Sequence, residues 1–146
     1  LPVVGKINIM NAASQFANTF STMLAAGVPA VRALGITARS LPNAYMADEI
    51  LNTVGMVEQG YSIGNALRQV NELPELLVEM TAVGEDSGSM EHTLEVVGHY
   101  YDTEVEYVTS RAVKLIEPVI IVVLAAFVAF ILLSVYLPMF SMYDSI

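Results

Sequence analysis

The stretch VIIVVLAAFVAFILLSVYL, Val119–Leu137, decides how the rest of this chain is read. From Val119 to Tyr143 no side chain is ionisable except tyrosine. A bilayer hydrocarbon core of ~30 Å needs ~20 helical residues at ~1.5 Å each, and Pro118–Leu137 supplies twenty. The expectation is a C-terminal membrane span. Working outward, Ser89 opens the longest helical pattern of the chain: Met90, Leu94, Val97, Tyr101, Val105, Val108, Ala112 and Leu115 advance by three- and four-residue steps. That near-heptad stripe leads straight towards the span. Pro118 interrupts the pattern. It lacks an amide donor and clashes with the carbonyl of Lys114, which predicts a kink at the membrane surface. Glu117 reads either as a charge meeting the positive end of the resumed helix or as a solvated acid beside a boundary proline.

The residues before Met90 show helical periodicity between clear breakers. Phe16, Phe20, Met23 and Leu24 mark one face of a first helix that ends at Gly27, and Pro29 opens the next at its first turn. That short helix carries Val31, Leu34 and Ala38 until Leu41-Pro42 stops it. Asn43 then caps a helix with the stripe Met46, Ile50, Val54 and Val57, closed by Gly60. Ser62 caps a fourth with Ile63, Ala66, Leu67 and Val70. Pro74 starts a fifth, expected to bury Leu76, Leu77, Met80 and Val83 and to close near Gly88. No strand alternation competes. The connections are short, so the reading is an all-α antiparallel bundle of about six helices, the last running into a C-terminal transmembrane helix. The expected domains are a helical bundle over 1–115, the span over 116–138 and a short tail over 139–146.

The formal net charge is −9, and Asp144 is the one acid beyond Glu117, which leaves fourteen acids against six bases before the span. Phosphate backbones and anionic headgroups repel such a surface, so nucleic acid is a poor partner and a basic protein a better one. With no cysteine, disulfides, thiolate chemistry and cysteine-based zinc sites are excluded. The chain begins Leu1-Pro2 rather than with methionine and reads as a piece of a longer protein, with no signal peptide. Arg111 and Lys114 precede the span and no lysine or arginine follows it. The positive-inside tendency therefore puts the bundle in the cytoplasm and the tail on the other side. Tyr136 and Tyr143 suit the far interface, and Ala125 and Ala129 offer either a small-residue packing face or incidental alanine.

Catalytic constellations do not assemble. His92 and His99 share a helical face but stand roughly 10 Å apart along it, too far to chelate one ion alone. There is no phosphate loop, the lysines being Lys6 and Lys114 alone, nor a G-x-S-x-G elbow or an H-E-x-x-H helix. Asp102 and Glu106 lie one turn apart. They read first as a solvated acidic face, second as a contact surface for a basic partner, and third as a cation site. Neither cofactor nor metal is expected, and the chain does not read as an enzyme.

Seven stretches, taken in order, carry a resemblance: LPVVGKI, FANTFSTMLAAGVPAVRAL (Phe16–Leu34), GYSIGNAL (Gly60–Leu67), LPELLVEMTAVGEDSGSM (Leu73–Met90), YYDTEVE (Tyr100–Glu106), EPVIIVVL (Glu117–Leu124) and YLPMFSMYDSI (Tyr136–Ile146). Over essentially the whole chain they resemble the F-domain platform proteins of type II secretion systems and type IV pili. The resemblance implies a second cytoplasmic bundle plus the last membrane span of an inner-membrane platform. It implies coupling of a cytoplasmic secretion or pilus ATPase to pilins or pseudopilins, other inner-membrane assembly proteins as partners, and a homo-oligomer. Residue by residue, Gly27 and Pro29 match the family's first interhelical turn. Gly84, Glu85 and Gly88 match its G-E-x-x-G corner, and Glu104 its Y-x-x-E-V-E element. Glu117 and Pro118 match the membrane entry, and Tyr136, Leu137 and Pro138 the exit. His99 stands where family members commonly carry other residues. The alternatives are a subunit of a small transporter, which needs polar groups that Val119–Leu133 lacks, a membrane-anchored regulatory helical domain, or a membrane-anchored hydrolase using buried carboxylates.

Overall fold

Helix boundaries fall where the breakers put them. A computed structural model describes residues 2–146 as α1 (Pro2–Ala25), α2 (Ala30–Ser40), α3 (Ala44–Glu58), α4 (Ile63–Leu67), α5 (Glu75–Ser87) and α6 (Met90–Asp144), with no strand among the described residues. Leu1, the first residue of the LPVVGKI stretch, lies outside them. The Asn43 side chain accepts from the amides of Tyr45 and Met46, as a cap should. Gly27 and Gly88 adopt φ of 82° and 71°, the left-handed conformation that ends a helix without a Cβ clash. Pro29 and Pro74 sit one position earlier than the first helical turn, as extended N-cap residues.

The chain forms two compact units, one through Tyr107 and one over Val108–Ile146. In the first, Phe16 and Phe20 are fully buried with ring centroids 5.6 Å apart, and Leu34, Met46, Ile50, Leu67, Leu77 and Leu94 join them in the core. Met23, Leu24, Val54 and Val57 are only half-buried, at the rims of their helices. Buried threonines fit this core because their hydroxyls turn back onto their own helix. Thr37 donates to the Ala33 carbonyl and Thr81 to that of Leu77, each at 2.7 Å.

The expected stripe of α5 is corrected. Leu76 and Val83 are 44% and 57% exposed and Met80 is half-buried, whereas Leu77, Val78, Thr81 and Gly84 face the core. Two stripes run along α5, and the inner one fits the core because it pairs the large Leu77 and Val78 with the small Thr81 and Gly84 where neighbouring helices come closest. A Cβ on Gly64 of α4 would lie 2.6 Å from the Cβ and 2.9 Å from the Cα of Ala82. The α6 stripe is likewise buried only through Leu94, Val97 and Tyr101; Val105 and Val108 are half-buried and Leu115 is exposed.

In the second unit the large apolar side chains from Val113 onward are exposed. The 18-residue window of highest hydropathy averages 3.0 with none of it buried, and by length and composition this helix can cross a membrane. Pro118 and Pro138 both lie inside α6, so neither ends the helix. The expected tail over 139–146 is helical through Asp144.

Candidate functional site

The G-E-x-x-G corner is a packing device. α4 has five residues, too short to hold itself together, and its first amides need acceptors. Ser62 Oγ accepts from the Asn65 amide at 3.2 Å. The Glu85 carboxylate, reaching across from α5, accepts from the amides of Ile63 at 2.8 Å and Gly64 at 3.2 Å. A negative group at a helix N-terminus also meets the positive end of the helix dipole. Gly84 lets α6 approach, since a Cβ there would lie 2.8 Å from Met90 Cα and 2.9 Å from Thr93. Gly88 then reverses the chain, with the Ser89 amide donating to the Gly84 carbonyl at 2.8 Å. Leu24 and Ala30, on either side of the Gly27–Pro29 turn, border the same shallow hollow of about 350 Å³ as Gly84, Glu85 and Gly88. Two of the expected motifs therefore meet.

A polar seam joins α1 to α6. Ser14 Oγ donates to the Asp102 carboxylate, and Asn18 Nδ2 donates to its other oxygen at 3.0 Å. Ser21 Oγ donates to the Glu91 carbonyl at 2.9 Å. Gly98 closes the approach: a Cβ there would strike the Asn18 side chain and come within 3.2 Å of its backbone nitrogen. These contacts show what offsets the like-charged Asp102 and Glu106 at one-turn spacing: α1 donors hold Asp102. Sequence reasoning overlooked Ser14, Asn18, Gly64 and Gly98. For Ser14 and Asn18 the available signal was small and polar residues one turn apart on the side of α1 flanking the Phe16–Phe20 face; Gly64 and Gly98 had no local signal.

Glu104 lies elsewhere. It lines a groove of about 740 Å³ with Lys6, Ile9, Pro74, Leu76 and Tyr100. Tyr101 forms part of the same wall, and burial, followed by the neighbouring Tyr100, raises its phenol pKa above the ordinary value. His92 and His99 are exposed on α6. Among the described residues no cluster of three or more His, Asp or Glu is close enough to hold a metal ion. Glu117, Pro118, Tyr136 and Pro138 all belong to the second unit, within the continuous α6. The site residues thus form a corner, a groove and a set of helix positions rather than one cleft.

Comparison with known proteins gives the family. The family profile described as "Type II secretion system (T2SS), protein F" matches residues 16–138. The type IV pilus assembly protein PilC of Myxococcus xanthus is 34% identical over 146 residues, covering 100% of this chain and 35% of that protein. PilC of Pseudomonas aeruginosa is 33% identical over 97% of this chain and 38% of its own length. The type II secretion system protein F of the same organism is 28% identical, over 97% and 35%. The chain spans about a third of the length of these curated relatives. With a profile that matches residues 16–138, well over half of its length, the chain belongs to the type II secretion system protein F family.

Proposed function

We propose that this chain is the bundle and final span of a non-enzymatic inner-membrane platform in a type IV pilus or type II secretion machine. The names and matches of the relatives support the machine class. In this reading residues 1–115 form a cytoplasmic bundle, 116–138 cross the inner membrane, and 139–146 emerge on the other side. The platform passes work from a cytoplasmic secretion ATPase to pilin or pseudopilin assembly, among other inner-membrane proteins and copies of itself. Gly27, Pro29, Gly84, Glu85 and Gly88 shape one partner-facing corner. Glu104 marks a second surface. Glu117 with Pro118, and Tyr136 with Pro138, mark entry to and exit from the bilayer, with a kink at Pro118.

The observation that carries the reading is the continuity of α6. One helix holds Leu94, Val97 and Tyr101 in the core of the first unit and, further along, the window of mean hydropathy 3.0. In this reading that shared helix is the element through which a displacement passes from the bundle to the span. The test replaces Val119–Leu137 in the full-length protein with an unrelated apolar helix of equal length. Membrane attachment is expected to persist while pilus assembly or secretion is lost. If function survives the swap, the span is only an anchor and the lever reading fails.

A further inference from the structure

We propose that the groove between α1, the start of α5 and the first third of α6 is a docking site for a basic, amphipathic helix of a different protein. This goes beyond the platform reading and does not depend on it. The groove is walled by Ile9 on one side and by Leu76 and Tyr100 on the other, and about 740 Å³ is enough for several large apolar side chains. Leu76 and Tyr100 remain 44% and 47% exposed there. The apolar surface also continues past the groove. Leu76, Met80 and Val83 follow one another at steps of four and three along α5, and the core uses the other stripe of that helix. An unpartnered stripe at helical spacing, opening from a groove, is the complement of a helix that presents apolar residues one turn apart.

Charge selects the occupant. Residues 1–107 hold thirteen acids and four bases. Around the groove, exposed Glu75 flanks Leu76 and Glu104 lines the wall, against Lys6. Among the described residues the ion pair formed is Arg68–Glu79, on the surface, so these acids carry their charge into solvent. A second copy of this unit would bring a like charge to the groove, and the anionic face of a membrane would be repelled by it. A cationic helix meets both requirements: apolar residues for the groove and Lys or Arg for its acidic rim.

The test places the photocrosslinking amino acid p-benzoyl-phenylalanine at position 76 of the full-length protein in its native cells, and maps the crosslinked peptide by mass spectrometry. The expected product joins position 76 to a net-positive segment of a different polypeptide with apolar residues at three- and four-residue spacing. The yield should fall at least tenfold in the Glu75→Lys, Glu104→Lys double variant and stay within twofold in Glu58→Lys, which lies on α3. In membranes from the same cells, raising salt from about 50 to about 500 mM should lower the yield severalfold. That measurement holds even where the charge reversals fail to fold. Crosslinks to a second copy, to lipid, to an acidic segment or to the same chain overturn the proposal. So does an absence of crosslinks, or a yield indifferent to both charge reversal and salt.

Discussion

Removing the Glu85 carboxylate should melt α4 while leaving most of the bundle folded. In Glu85→Ala, the amides of Ile63 and Gly64 lose the acceptor that now reaches them at 2.8 and 3.2 Å. A hydrogen bond to a charged acceptor contributes about 1.5–3 kcal/mol net, and an unsatisfied buried donor costs about 1–3 kcal/mol. Ile63 and Gly64 are both buried while Glu85 is half-buried, so water replaces the lost oxygens only in part. Taking about 1–2 kcal/mol for each of the two amides, the lower half of the buried-donor range, gives about 2–4 kcal/mol. Hydrogen exchange on the detergent-solubilised full-length protein reads this locally. At about 1.4 kcal/mol per tenfold, amides of Ser62–Val70 should exchange about 25- to 700-fold faster, while those of α2 and α3 change far less. Glu85→Gln keeps one carbonyl acceptor but turns an NH2 towards the second amide, so it should fall between wild type and Glu85→Ala. Ser62→Ala removes a single neutral cap and should cost about 1 kcal/mol. If Glu85→Ala leaves exchange in Ser62–Val70 within twofold, the carboxylate does not hold α4 and the account of the corner is wrong.

The two leucines at the start of α5 should separate cleanly in thermal or urea unfolding: Leu77→Ala, fully buried, should cost about 2–5 kcal/mol, and the exposed Leu76→Ala well under 1 kcal/mol. Gly64→Ala should cost about 1–3 kcal/mol, because the added methyl meets the Ala82 backbone rather than a flexible tip. Arg68→Ala removes an ion pair to Glu79 whose side chains are 45% and 52% exposed and an exposed hydrogen bond to the Asn65 side chain, and melting should barely register it. Tyr101 supplies a pH dependence. Burial raises its folded pKa above the ordinary value of 10.0, so its contribution is complete below pH 10 and is lost as pH rises through the folded pKa. Tyr101→Phe should therefore flatten the fall in stability above pH 10 relative to wild type.

Helix positions were legible because their punctuation is chemical. Asn43 and Ser62 cap with their own side chains, and Gly27, Gly60 and Gly88 turn with positive φ, all local effects that a sequence displays. The buried face of α5 was not legible. Leu76, Met80 and Val83 make as good a stripe as Leu77, Thr81 and Gly84, and what decides between them is how near α4 and α6 lie. That proximity depends on Gly64 and Gly84, residues whose contribution is the absence of a side chain. The Glu85 cap was hidden for a related reason. Its targets lie 22 and 21 residues earlier, so no local pattern marks the pairing. Glu85 stood out as an acid at a helix end and through its resemblance to the family motif, but neither named the amides that it caps.

The α1–α6 seam bears on what a lever in this bundle requires. A wholly apolar helix interface tolerates small rotations, because dispersion contacts have little directional preference and one rotamer can replace another. The seam here is different: Ser14 and Asn18 bind both oxygens of Asp102, Ser21 holds the Glu91 carbonyl, and Gly98 sets the spacing against Asn18. Hydrogen bonds of this kind fix register as well as distance. Turning or sliding α6 by one residue against α1 would break several of them together and leave a carboxylate without donors. The seam therefore favours two outcomes, fully seated or released, over a graded slip. Asp102→Ala tests the point. In the full-length protein it should raise exchange along Ser14–Ser21 and the facing part of α6 as one unit; if only the residues touching Asp102 respond, the seam is a set of independent contacts.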